Sequence, residues 1–191
     1  MRITFTKILF AFIAVVSTLA AKAQTDYVIT LKGDSIPCSI TIPLIGKLKY
    51  KVDSAGESKK IKPGEIREYY IARKNLTGRS VYKTGSNNPM FMPLIEKGKI
   101  NLYEMVYTTY TGTTVVTTTS WYVSKGNDTV SDLKTSSFWM SKSRQKRKDI
   151  FGDMLKDDKE LYDKYMGDDK FSFKQIRNLV HLYNTGQPLS D

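Results

Sequence analysis

The hydrophobic period of this chain changes near residue 134. Before that point apolar side chains alternate with polar ones; beyond it they recur at three- and four-residue steps. A period of two belongs to half-buried strands and one near 3.6 to amphipathic helices. Strands first and helices after predict an α+β protein. An antiparallel, meander or barrel-like β domain is expected over 24–134, and a three-helix segment within 135–191 packed on its sheet.

The strand pattern is dense. Asp26 to Lys32 is a β-branched run ending at the turn signal Gly33-Asp34. Ile36, Cys38, Ile40 and Ile42 alternate until Pro43 breaks the run, and Leu48, Tyr50 and Val52 alternate with Lys47, Lys49 and Lys51. The second of these predicts a half-buried strand with a cationic outer face. Asp53 to Glu57 then turns the chain into Lys59 to Lys62. Further strands are expected at Ile66 to Arg73, Ser80 to Lys83, Met90 to Glu96, Lys99 to Thr109 and Thr113 to Ser124. Lys97-Gly98 and Thr111-Gly112 supply hairpin tips, and the Thr-rich last strand suits β structure through its branched side chains.

Three apolar stripes follow: Ile150, Phe151, Met154 and Leu155; Leu161, Tyr162, Tyr165 and Met166; Ile176, Leu179, Val180 and Tyr183. Asp157 with Glu160 has the spacing of an N-cap and its N3 carboxylate, and Ser172 with Gln175 that of a capping box. Gly167 and Gly186 fall near helix ends.

Ahead of the strands, Arg2 and Lys7 precede an apolar run from Ile8 to Ala20, and Ala21-Lys22-Ala23 has the small-x-small form read by signal peptidase. Residues 1–23 are therefore expected to be a cleaved signal peptide, with cleavage between Ala23 and Gln24. The run of about 13 residues is shorter than the roughly 20 needed to span a bilayer. Export to the periplasm, the envelope or the medium follows, with no transmembrane segment expected in the mature chain.

Export changes the meaning of the charge. The chain carries 30 Lys plus Arg against 19 Asp plus Glu, a net of +11. Without residues 1–23, 27 basic side chains face 19 acidic ones, a net of +8. Residues 24–148 hold 21 basic and 10 acidic groups, whereas 149–191 hold 6 and 9, so the basic excess lies on the strand region. Outside the cytoplasm the expected partner is an anionic envelope component or an envelope protein, and not nucleic acid. The candidate contact comprises Lys142, Arg144, Lys146, Arg147 and Lys148, joined by Lys47, Lys49 and Lys51. A helix starting near Ser141 or Ser143 would put the first group in its opening turns, where the macrodipole disfavours cations by a few tenths of a kcal/mol each.

Other chemistry is thinly represented. One Cys excludes an internal disulfide framework, and one Cys with one His excludes a Cys/His zinc site; no cofactor is expected. Cys38 is expected to be a small buried apolar residue, and His181 a packing or surface residue of the last helix. Tyr69, Tyr70, Tyr82, Tyr103, Tyr107, Tyr110, Trp121 and Tyr122 lie on strands, where cross-strand pairs and core are the commoner role and a sugar-stacking face the alternative. Ser35, Ser54 and Thr129 sit in Asp-Ser/Thr-apolar triplets at expected turns. They are candidate O-glycosylation sites.

The order of features resembles a loose family of uncharacterised exported proteins of Gram-negative envelopes. The likeness rests on Gly33-Asp-Ser-Ile36, the Lys-rich strand, Lys62-Pro-Gly-Glu-Ile66, Leu94 to Tyr103 and the closing Leu179-Val-His-Leu-Tyr-Asn184. It implies compartment and architecture and carries over no site residue. The expected function is non-catalytic binding. A glycan or cell-wall hydrolase with dispersed carboxylates is the first alternative, and a structural component of an envelope assembly the second. A cleft with converging carboxylates marks the first. An exposed apolar patch or long unpaired strand edge marks the second.

Overall fold

The computed structural model describes residues 25–52, 56–136, 143–168 and 172–190. The expected signal peptide with its Ala23/Gln24 cleavage site, the turn containing Ser54, and Lys142 lie outside the described residues. Eleven strands precede three helices among the described residues, and the protein is α+β.

The strands are β1 (Tyr27–Thr30), β2 (Ser35–Pro37), β3 (Ser39–Thr41), β4 (Lys49–Lys51), β5 (Lys59–Lys60), β6 (Ile66–Ile71), β7 (Leu76–Lys83), β8 (Pro89–Glu96), β9 (Ile100–Thr111), β10 (Thr114–Lys125) and β11 (Thr129–Thr135). They exceed the nine expected, because the run through Cys38 splits into β2 and β3 and because β11, after the Thr-rich strand, was not among those expected. β7 to β11 form an antiparallel meander. A parallel pair, Thr129 with Tyr82 and Val130 with Lys83, closes it into a five-stranded barrel. β6 pairs with the first half of β7 on the edge that β11 uses farther along, and β1 and β2 extend the sheet from β6. β3, β4 and β5 form a separate small sheet.

Alternation then sorts the side chains. Val81, Met92, Tyr103, Tyr122 and Val130, one from each barrel strand, fill the interior. Their neighbours Ile100, Leu102, Trp121, Val123 and Leu133 point outward, under the helices. A third cluster, Val28, Ile40, Ile61, Ile66, Tyr69 and Ile71, joins the two sheets. Cys38 packs on its rim, half-buried.

The helices are α1 (Arg144–Leu155), α2 (Lys159–Gly167) and α3 (Phe173–Thr185). Phe151, Leu155, Leu161, Tyr165, Ile176, Leu179 and Val180 cover the outward barrel face. Each such side chain contributes roughly 1.5–3 kcal/mol by burial. Ser172 and Gln175 form the capping box of α3, and Gly186 ends it with φ +74°. The cap of α2 is Asp158, which accepts from the Leu161 N–H at 3.1 Å. Asp157 is displaced from that role because its carboxylate accepts from Lys125 and from the Tyr183 hydroxyl, both at 2.7 Å.

Candidate functional site

The small sheet presents lysines on its solvent side. Across it Ile40, Tyr50 and Lys59 stand in one row, and Thr41, Lys49 and Lys60 in the next, with Ser39 beside Lys51. Ile40 is buried and Tyr50 packs on the joining cluster. Lys49, Lys51 and Lys60 therefore share the opposite face. Lys49 and Lys60 are directly opposed, an arrangement of like charges that destabilises a ladder. The three strands contain no acid. Lys47, Lys49, Lys51, Lys59 and Lys60 have no ion-pair or side-chain hydrogen-bond partner among the described residues. Lys59 and Lys60 also border an open depression of about 430 Å³ between the two sheets, where Lys62 is paired with Glu65 at 2.8 Å.

The second basic group lies elsewhere. Lys49 and Lys51 belong to the sheet on the joining cluster and Lys47 to the loop leading into it, whereas Arg144, Lys146, Arg147 and Lys148 occupy α1 over the barrel's outward face. Ser143 caps α1 by accepting from the Lys146 N–H at 3.3 Å, so the cations do stand in its opening turns, with no acid there. Their contacts explain part of this. Lys148 donates to the Met166 and Asp168 carbonyls at 2.8 and 3.2 Å, satisfying the C-terminal end of α2. Arg144 and Arg147 border a cavity of about 70 Å³ together with Lys134. Burial and these two guanidiniums lower the Lys134 pKa, and its ammonium lies 5.0 Å from the Phe173 ring centroid. Arg144, Arg147 and Lys148 are all engaged.

A third charged group ties the barrel shut. Glu68 of β6, 2% exposed, accepts from Lys97 at 2.8 and 3.0 Å and lies 4.0 Å from Arg79 of β7. Arg79 donates to Asp128, just before β11, at 2.7 and 3.0 Å. Two carboxylates thus converge on one guanidinium, beside an open polar depression of about 530 Å³. Each is held by a cation. The one local signal of this network in the sequence is Glu68 standing between the apolar positions Ile66 and Tyr70.

Of the strand aromatics, Tyr69, Tyr70, Tyr103, Trp121 and Tyr122 are buried, while Tyr82, Tyr107 and Tyr110 are exposed. Tyr122 accepts from Lys83 at 3.1 Å, and the Trp121 indole donates to Glu104 at 2.9 Å. His181 Nδ1 lies 3.4 Å from Glu96, which also accepts from Arg177 at 3.0 Å, so the histidine packs α3 onto β8. Ser35 and Thr129 are exposed but are the first residues of β2 and β11, one step beyond the expected turns.

The outer half of the β9–β10 hairpin leaves the barrel. The two strands pair from Ile100/Lys125 to Thr111/Thr114, but β8 last meets β9 at Tyr103 and β11 last meets β10 at Ser120. Beyond those points neither edge pairs with another strand among the described residues. From Val106 to Thr119 every residue is Thr, Val or Tyr except Gly112. Val106, Tyr110, Val115 and Val116 are about half exposed or more. No charge protects the arm, where edge strands ordinarily carry one.

These features define a small α+β barrel protein with two kinds of exposed surface, a lysine face and an uncharged strand arm. No family model, curated protein or solved structure matches the chain.

Proposed function

We propose that this is an exported, non-catalytic protein that works by binding, and that an anionic envelope component docks on the β3–β4–β5 sheet. The observation that carries the reading is the opposition of Lys49 and Lys60, with Lys51 beside them and no acid in the sheet. That arrangement costs stability, and a polyanion offsets the cost. The α1 cluster is the lesser candidate because its arginines and Lys148 are already engaged. The carboxylates gathered at Arg79 are both held by cations, which favours binding over glycan hydrolysis. The test is capture from envelope fractions at low and high salt. The parent protein should retain a salt-sensitive partner that Lys49→Gln/Lys51→Gln/Lys60→Gln loses. Capture unchanged by the triple variant overturns the assignment.

The β9–β10 arm favours a second reading, that an envelope protein adds a strand to it through main-chain hydrogen bonds. Such a partner should survive high salt and be lost in Val106→Lys/Val116→Lys. Both side chains are exposed, so the variant should alter stability by less than about 0.5 kcal/mol per site. Retention of the partner by this variant contradicts the reading. For Ser35 and Thr129, an intact mass of the exported protein equal to that of the bare chain excludes glycosylation.

A further inference from the structure

We infer that the loop between β3 and β4 is an anchor for an anionic phospholipid surface, Leu44 and Ile45 entering the interface while the neighbouring lysines meet the headgroups. The inference rests on the lysine-face reading and names its partner. Leu44 and Ile45 are each more than nine-tenths exposed, the highest values of any large hydrophobic side chain described. Ile42 and Leu48, on either side, fold back onto the cluster joining the sheets, and the Leu48 carbonyl accepts from the Ile61 N–H at 2.8 Å. The base of the loop is thus pinned and only its tip is offered outward. Gly46, at φ +105°, turns the chain directly after the tip, a conformation that L side chains rarely adopt.

The charge pattern selects the occupant. Lys47 follows the tip and Lys49, Lys51 and Lys60 continue behind it on the sheet, all without an ion-pair partner among the described residues. An apolar tip with lysines behind it matches the layering of an anionic bilayer, acyl chains first and phosphates above. Lysine stems tolerate such a boundary because they lie along apolar surface while the ammonium stays in the headgroup layer. A soluble acidic glycan would satisfy the lysines but leave both aliphatic side chains in water. No helix among the described residues is long and apolar enough to cross a membrane.

Sedimentation with vesicles of phosphatidylglycerol and phosphatidylcholine, against pure phosphatidylcholine, tests the inference. Binding should require phosphatidylglycerol and weaken with salt. Leu44→Ser/Ile45→Ser should lower the partition coefficient about ten-fold or more with an unchanged melting curve. Fluorescence of Ile45→Trp should be quenched by brominated acyl chains beyond any quenching of the parent protein. Vesicle binding that is indifferent to the Ser variant, or binding to dextran sulfate without binding to vesicles, overturns the lipid anchor and leaves the lysine-face reading standing. Binding to neither overturns both.

Discussion

Asn184 fastens the last helix to the barrel through one backbone unit. Its side-chain oxygen accepts from the Ile100 N–H at 3.0 Å and its amide donates to the Ile100 carbonyl at 2.8 Å, as a neighbouring strand would. Gly98 makes room for it, since a Cβ there would lie 2.2 Å from Asn184 Cγ. Gly98→Ala and Asn184→Ala should each cost about 1–3 kcal/mol in urea denaturation. The double variant should cost less than the sum, because the second truncation removes the clash of the first. Full additivity would contradict the contact. Cys38 gives a second residue-scale prediction. Burial, and then Asp26, push its thiol up from 9.0 to about 11. At pH 8 its alkylation should be about 100-fold slower than that of an ordinary thiol. Because the unfolded chain loses this proton first, the group withdraws stability as pH rises from 9 towards 11. Reaction at the rate of an exposed peptide thiol would contradict that environment.

At the scale of elements, α1 and the arm both break a local rule. Lys146 is the third residue after the cap Ser143 and stands exposed in a turn that favours acids. Lys146→Glu should complete a capping box and raise stability by about 0.5–1 kcal/mol in thermal or urea melts. A loss of stability would show that this cation has a structural partner. The hairpin tip at Thr111-Gly112 was readable in advance because Gly112 has the positive φ, +60°, that such a turn needs. The missing charge of the arm was equally open to inspection. Its departure from the barrel was not, because it depends on where β8 and β11 stop pairing, several strands away in sequence.

For the whole molecule, the order of strands before helices was legible because each period is a local property of successive residues, whereas β11, past the last expected strand, was not. Barrel closure is not local. It rests on two parallel residue pairs between β7 and β11, and on Arg79 reaching from Glu68 to Asp128 across the seam. Arg79→Ala should cost about 1–3 kcal/mol, because it removes the charge-assisted hydrogen bonds to part-exposed Asp128 and leaves buried Glu68 with Lys97 alone; a loss below about 0.5 kcal/mol in chemical denaturation would show the seam to be held otherwise. The lysine strand was visible as alternation, but Lys60 joined it only through register, and the basic run of α1 proved to be partly occupied in helix packing. The proposed binding surface is the β3–β4–β5 sheet with the loop that leads into it. Backbone amide shifts recorded while an anionic partner is titrated into the labelled protein locate it directly. The largest changes should fall on residues 44–51 and 59–60. Changes centred on 144–148, or around Arg79 and Asp128, would contradict the assignment.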